Sequence, residues 1–324
     1  MDALQQRAIK LIEPLIPADA QDRVERTIKQ FNHIVREHIR TETGLRLADA
    51  QGTGTISIRV VPGFPAKVAE LIDRHQDRVL WRLIIGQPKL GGVVEGLNYL
   101  LPDWPEFEQW LDLPSVARGS EPALTRTRDV ALALQSLAVT KRVLDELKEI
   151  HEDILGVYRF ANRFGASIEI YWMANALVAG ALGVRIEDLA VVTLAHELAH
   201  GYTHQGRDID GLSWKDDGFA RSALEVKEGL AQFYTAVVAE KLGPRAPGVH
   251  SAYVKLLELQ TGPYLVHTQW LDGTPKQRGE TVRFVLLQAR NYGVVTHEKW
   301  RGLLTETSQR LKPGADTSGS GELQ

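Results

Sequence analysis

The sequence predicts an α+β protein that is mostly helical and contains a small sheet. Apolar residues recur at three- and four-residue spacing over most of the chain, which is the period of an amphipathic helix. A few short stretches are instead rich in β-branched and aromatic residues and end near glycine or proline, as strands do. The short stretches are too few for a large sheet, so helices should dominate.

The first part of the chain is expected to be an α/β region. Its first 45 residues show helical spacing. Gly54–Val61 is β-branched and is followed by Pro62, which predicts a strand, and Arg78–Gly86 is predicted as a second strand. The Pro/Trp-rich stretch Leu101–Pro114 is expected to be an irregular connection with a short helix.

The rest of the chain is predicted to be helical around one hairpin. Leu124–Leu155 is the longest helical pattern, and Gly156–Phe160 with Gly165–Trp172 should form the hairpin. Helices are expected from Ile186 to Leu311, with breaks at 201–218, 242–248 and 260–264. A composition shift at Pro114–Pro122 divides the chain into an N-terminal α/β region of unknown role (1–120), a second domain (121–312) and a polar tail expected to be disordered (313–324).

Composition excludes several classes of function. The 324-residue chain has a net charge of −3, so nothing electrostatic favours nucleic acid or an anionic membrane as a partner. It has no cysteine, which excludes disulfides and cysteine-ligated zinc. No run of about 18 apolar residues and no signal-peptide pattern is present, so we expect a cytoplasmic protein without a membrane span.

The stretch "TLAHELAHGYTH" (Thr193–His204) is the strongest chemical signal. His196 and His200 are four residues apart, which places both imidazoles on one face of a helix. Two such histidines can bind one zinc ion, and Glu197 can reach a water beside it as a general base. The preceding "LAVVTLA" is apolar on all sides and predicts a buried helix, in which unpaired polar groups are costly. The alternative is that these are exposed residues at the solvent end of a partly buried helix.

His204 does not fit a third-ligand position. It lies eight residues after His196, about 12 Å along a continuous helix, which is too far for shared coordination. We therefore expect it to hydrogen-bond to a zinc ligand, to contact the substrate or to be structural.

The third ligand should come from the helical stretch Ala223–Gly243. This stretch offers Glu225 and Glu228, and two histidines with one glutamate form a common catalytic zinc site. Glu228 falls in the sector of Leu224 and Ala231, whereas Glu225 turns towards a more polar sector, so Glu228 is favoured. Small residues beside it, Gly229 and Ala231, were expected to let the two helices approach closely.

Together, "HELAHGYTH" and "KEGLAQFY" resemble the motifs of gluzincin-type zinc metallopeptidases, in closest detail the ImmA/IrrE-like group. The resemblance covers about Ser167 to Leu242. It implies a zincin-like catalytic domain with a small sheet beside the HExxH helix, one Zn²⁺ per chain held by His196, His200 and Glu228, and Glu197 as catalytic base. The first 120 residues and "GRDIDGLSW" have no counterpart in that pattern, and no helix-turn-helix domain is evident.

Other residues of the site are less defined by the sequence. An oxyanion donor could be any one of four residues of suitable type: Tyr202, His204, His267 and Tyr292. A carboxylate that orients a zinc-bound histidine could be Asp208, Asp210 or Glu225. The strand "ASIEIYW" could be a sheet edge that holds an extended peptide.

Three functions are compatible with these residues. The first is an intracellular zinc metallopeptidase that hydrolyses a protein or peptide substrate. The second is a zinc hydrolase of a non-peptide substrate, and the third is a non-catalytic zinc-binding regulatory protein on the same scaffold. The sequence alone identifies neither a substrate nor a regulatory partner.

Overall fold

The computed structural model describes residues 2–47, 56–105, 120–150, 154–161, 165–270 and 273–311. The predicted disordered tail, most of the Pro/Trp-rich connection and the hairpin turn lie outside these ranges. Within them the protein is an α+β fold that is mostly helical, as the sequence predicts. None of the helices in the described ranges is both long and apolar enough to cross a membrane.

Thirteen α-helices and three strands are numbered here in chain order within the described residues. The helices before the hairpin are α1 (Ala3–Ile12), α2 (Ala20–Thr43), α3 (Ala66–Arg74), α4 (Arg78–Leu100), α5 (Glu121–Gln135) and α6 (Ala138–Lys148). Those after it are α7 (Trp172–Leu182), α8 (Ile186–Gln205), α9 (Asp216–Arg221), α10 (Leu224–Leu242), α11 (Pro247–Leu257), α12 (Pro275–Tyr292) and α13 (His297–Arg310). Two 3₁₀ segments, Glu13–Leu15 and Gly262–Gln269, complete the described elements.

The sheet has the strand order β1-β3-β2, formed by β1 (Ser57–Val61), β2 (Gly156–Ala161) and β3 (Gly165–Tyr171). β2 and β3 form the predicted antiparallel hairpin, and β1 runs parallel to β3. β3 is therefore the central strand, and the expectation that it is a free edge is wrong. Its alternating buried residues, Ala166, Ile168 and Ile170, favour a central strand with one face on the core. β2 is an edge strand of this sheet, and it contacts α8.

Two sequence predictions about helices are wrong. Arg78–Gly86 is the start of α4 and not a strand, because the Asp77 carboxylate accepts hydrogen bonds from the amides of Val79 and Leu80 and caps a helix. The long helix predicted over Leu124–Leu155 is two helices, α5 and α6. The Ser136 hydroxyl donates to the carbonyl of Ala133 where α5 ends, and this local bond competes with continued helix.

The helix predicted from Ile186 is confirmed, but it continues past the expected break at residue 201 and ends at Gln205. Gly201 lies inside α8, where the lack of a side chain lets another segment approach. A Cβ at Gly201 would lie 2.2 Å from Cδ1 of Ile56, just before β1. The glycine therefore serves close packing of the sheet on α8 and does not end the helix.

α8 is the central element of the core. It packs against α2, α7, α10 and α11 and against both strands of the hairpin. Its residues are buried on every side from Leu189 to His204, as the apolar sequence predicts. Because α2 lies directly on α8, part of the region before residue 120 belongs to the core that holds the histidines. The division of the chain near residue 120 remains a prediction.

An ion pair with two hydrogen bonds joins α2 to the start of α8. The Arg23 guanidinium donates through Nε and Nη2 to the two carboxylate oxygens of Glu187, at 2.8 and 2.9 Å. This hydrogen bond lowers the pKa of Glu187 from an ordinary 4.5 to about 2. A depressed pKa means that the pair stabilises the fold above the ordinary pKa and that this stability is lost as pH falls towards 2.

We expect Arg23→Gln to reduce the free energy of unfolding by about 1 to 2 kcal/mol at pH 7, the range for a partly buried charged hydrogen bond. The difference from wild type should shrink as the pH approaches 3, because Glu187 then loses its charge in the unfolded chain and begins to lose it in the folded one. Urea denaturation at both pH values measures this. Arg26→Gln is the control, since Arg26 is exposed on the same helix and donates to the carbonyl of Asp22. Equal losses in both variants at every pH would contradict the assignment.

Candidate metal centre

His196 and His200 face the same side of α8. Their side chains project from successive turns, and the two Nε2 atoms are 3.2 Å apart. The rings are nearly perpendicular, with centroids 4.8 Å apart. His196 is 8% exposed and His200 is 5% exposed, so both imidazoles lie inside the protein. Polar rings in such a position need a partner that the surrounding aliphatic residues do not supply.

Glu228 on α10 completes the cluster. Its Oε2 atom lies 3.3 Å from Nε2 of His196 and 3.3 Å from Nε2 of His200. α8 and α10 approach closely at this cluster. The sequence predicts that Gly229 allows this approach, but in the structure it has a different role. A Cβ at Gly229 would lie 2.3 Å from the Trp270 ring, so the glycine admits that indole and not α8.

The three atoms have the spacing of ligands around one zinc ion. A tetrahedral ion with bonds of about 2.0–2.1 Å requires its ligand atoms to be about 3.3 Å apart. The three separations here are 3.2, 3.3 and 3.3 Å. His196, His200 and Glu228 are also the one group of buried ligand-type side chains in the described residues that could hold a metal ion.

The electrostatics of Glu228 fit a cation at this position. Its Oε2 atom is buried, with the Nε2 atoms of His196 and His200 each 3.3 Å away. Burial by itself would raise the pKa of the Glu228 carboxyl, but the adjacent His200 and His196 outweigh burial and hold that pKa below its usual range. The group is therefore a buried carboxylate beside two imidazoles, a donor set suited to zinc.

Glu197 lies beside the cluster, between α8 and the start of β2. It is 1% exposed and, with His196, lines a cavity of about 50 Å³. At Gly156, the first residue of β2, a Cβ would lie 2.8 Å from Oε1 of Glu197. The edge strand can therefore approach Glu197 this closely only because residue 156 is glycine.

The cavity is mostly apolar and its walls come from distant parts of the chain. Leu147, Ile154, Val192 and Leu256 contribute aliphatic surface, and Tyr264 of the second 3₁₀ segment contributes an aromatic ring. The Tyr264 ring centroid is 6.2 Å from that of His196. A mostly apolar cavity that also meets a few polar groups is the usual form of a small binding site.

His204 is buried one turn beyond His200, outside the metal cluster. Its Nδ1 atom lies 3.0 Å from the Tyr158 hydroxyl, and its Nε2 atom lies 3.0 Å from Oδ1 of Asp216. The ring stacks on Phe219 with centroids 4.3 Å apart. Burial lowers the pKa of His204 to about 4 although Asp216 opposes the shift. Its contacts join β2, α8 and α9.

His267 has both ring nitrogens occupied. Nδ1 lies 3.1 Å from the carbonyl oxygen of Tyr264, which can only accept, so Nδ1 carries the proton. Nε2 then accepts a 2.9 Å hydrogen bond from the Tyr253 hydroxyl. Burial lowers the pKa of His267 to about 4, which agrees with a neutral ring. No ring N–H is left for a substrate oxygen, and His267 instead holds the segment that carries Tyr264.

The structure does not bring the remaining predicted residues to the cluster. Tyr202 lies on another face of α8 and borders a separate cavity with Arg36 and Arg40 of α2. Glu225 is half-buried and does not belong to the ligand group. Tyr292 is 52% exposed beneath Lys299, whose Nζ is 3.4 Å from the ring centroid.

Asp208 and Asp210, the two aspartates proposed to orient zinc-bound histidines, also lie away from the cluster. Oδ1 of Asp208 accepts hydrogen bonds from the amides of Asp210 and Leu212 and so closes its own turn.

Sequence reasoning missed three residues near the cluster, namely Tyr158, Asp216 and Tyr264. Tyr158 on β2 lies with its ring centroid 6.3 Å from that of His200 and hydrogen-bonds to His204. A signal for Tyr158 existed in the predicted hairpin, since alternate residues of a strand share one face. No local pattern marks Asp216 or Tyr264, because their positions depend on packing between distant segments.

Comparison with known protein families, with curated proteins and with solved structures finds no match for this chain.

Proposed function

We propose that the protein is a zinc-dependent metallopeptidase with a zincin-like catalytic region. The observation that carries the proposal is the triangle of His196 Nε2, His200 Nε2 and Glu228 Oε2, with sides of 3.2 to 3.3 Å. Glu197 lies next to this triangle at the wall of a cavity. Two histidines, one glutamate and an adjacent buried carboxyl group form the composition of a hydrolytic zinc site.

A zinc ion bound there would supply a Lewis acid that polarises a carbonyl group and lowers the pKa of water towards about 7. The chain's own residues have separate roles. His196, His200 and Glu228 hold the ion, and Glu197 accepts a proton from the attacking water and delivers it to the leaving amine. Burial of Glu197 keeps bulk water away from this proton transfer.

The position of β2 favours an extended peptide as substrate. β2 pairs with β3 on one side and has no second neighbour among the described strands. Its first residue, Gly156, lies so close to Glu197 that a Cβ there would be 2.8 Å from Oε1. A peptide paired with this edge through main-chain hydrogen bonds would pass beside the triangle.

Metal analysis and a proteolysis assay test the proposal. Purified protein supplied with zinc and then dialysed should contain about one zinc per chain, as expected for one set of three protein ligands. It should cleave an unfolded protein such as reduced, alkylated casein, and a chelator should stop cleavage until zinc is restored. A folded protein that binds no zinc after zinc is supplied would refute the proposal.

Tyr264 is expected to assist the reaction. It is the one tyrosine among the described residues that line the cavity, and its ring lies near His196. Tyr264→Phe should lower kcat by about 100-fold with little change in KM, as loss of an oxyanion donor does. Tyr292→Phe is the matched control, because Tyr292 is 52% exposed and does not line the cavity. Similar kcat values for wild type and Tyr264→Phe would remove Tyr264 from the mechanism.

A further inference from the structure

Gln232, a polar residue of the cavity beside Glu197, has incomplete hydrogen bonding within the described residues. Gln232 lies one turn after Glu228 on α10, lines the cavity and is 2% exposed. Its Nε2 atom donates to Oε1 of Gln260 at 3.0 Å. Its Oε1 atom is buried and has no hydrogen-bond partner within the described residues. A buried amide oxygen without a donor is unfavourable, so a group that enters the cavity with a donor would gain a bond there.

Thr235 lies on the next turn of α10, and its hydrogen bonding differs from that of Gln232. It also lines the cavity and is 1% exposed. Its hydroxyl already donates to the carbonyl of Ala231 at 2.7 Å. Of these two polar residues of α10, Gln232 is therefore the one with a side-chain oxygen that makes no hydrogen bond within the described residues.

The size and charge of the cavity restrict its occupant. By the measure in which one water needs about 10–15 Å³, the cavity volume of about 50 Å³ is room for a few water-sized groups. That volume suits a small side chain of a few heavy atoms and not an aromatic ring.

A charged side chain would need a counter-ion in the cavity. Glu197 is assigned to the reaction, and the Lys148 side chain is 36% exposed and lies 3.9 Å from Asp145. Neither is placed to neutralise a buried charge. The occupant should therefore be uncharged.

We infer that this cavity is a substrate subsite that selects a small side chain with an uncharged hydrogen-bonding end, threonine or serine, and that Gln232 recognises this end. The inference rests on the proposed peptidase function and names the substrate class of the same site. The apolar walls contact the methyl or methylene part of the side chain, and the Gln232 amide pairs with the hydroxyl. Valine has the same shape as threonine but leaves the Gln232 oxygen unpaired, so the pocket discriminates against it.

Paired zinc-binding probes test the inference by affinity, without turnover. Threonine hydroxamate and valine hydroxamate differ only by hydroxyl against methyl, and isothermal titration calorimetry measures both on zinc-loaded protein. Threonine hydroxamate should bind wild type about 3- to 10-fold more tightly, the effect of one hydrogen bond between uncharged groups. Gln232→Met and Gln232→Leu should remove or reverse this preference, and whichever variant retains zinc provides the comparison. Thr235→Val is the matched control and should keep the preference.

The outcomes distinguish failure of the subsite assignment from failure of the proposed function. Equal affinities of the two probes in zinc-loaded wild type would overturn the subsite assignment alone. A preference that persists in the Gln232 variants, or that Thr235→Val removes equally, would overturn the role of Gln232. A protein that binds no zinc would overturn the proposed function and this inference together.

Discussion

Glutamine in place of Glu228 is expected to weaken zinc binding by more than about 100-fold, since loss of an outer-shell partner alone costs 10- to 100-fold. The change keeps the size of the side chain but removes the charge that lies 3.3 Å from both histidine nitrogens. An amide oxygen is a weaker zinc ligand than a carboxylate, so two imidazoles would hold the ion almost alone. Zinc per chain after dialysis against a buffered zinc solution measures the effect.

Glu225→Gln is the control for this experiment. Glu225 lies three residues earlier on the same helix and outside the ligand group, so the same chemical change should leave zinc content near one per chain. Zinc should also raise the free energy of unfolding of wild type and of the control by about 4 kcal/mol at 1,000 times Kd, and should do so far less in Glu228→Gln. Equal zinc retention in both variants would show that Glu228 is not a ligand.

Glu197→Gln is expected to separate metal binding from catalysis. Glu197 is not one of the three converging ligands but lines the cavity beside them, so the variant should still hold about one zinc. An amide cannot accept the proton of the attacking water, and kcat should fall by about 100- to 10,000-fold. Zinc analysis and cleavage of a protein substrate on the same preparation test both parts.

The result also discriminates between the alternative functions. A zinc-binding regulatory protein without catalysis would show no hydrolysis in wild type and no functional loss in Glu197→Gln. A hydrolase of a non-peptide substrate would lose its activity in Glu197→Gln but would not cleave proteins. Loss of zinc from Glu197→Gln would contradict the role of Glu197 as a base that does not bind the metal.

Several features of the site follow from helical periodicity and were predictable from the residues alone. His196 and His200 share a face because four residues are close to one helical turn, and the structure confirms that helix. The preference for Glu228 over Glu225 came from the same period on α10, and Glu228 is the one whose carboxylate lies beside both rings. The hairpin was also predictable, because it forms between neighbours in the chain.

Predictions from local sequence patterns were wrong where the same residues are compatible with both a strand and a helix. Arg78–Gly86 contains the apolar and β-branched residues of a strand, but the Asp77 cap and packing on one helical face made it part of α4. Short apolar runs do not distinguish a buried strand from a buried helix. The Ser136 bond that separates α5 from α6 is similarly invisible in the period of the apolar residues.

Long-range packing sets which groups meet around the histidines. It placed β3 in the centre of the sheet and β2 at the edge beside Glu197, and it joined His204 to Asp216 and His267 to Tyr253. It also assembled the cavity from α6, α8, α10 and the segment of Tyr264. These contacts join residues far apart in the chain, and they depend on how whole helices pack, whereas periodicity constrains only neighbours within a turn or two.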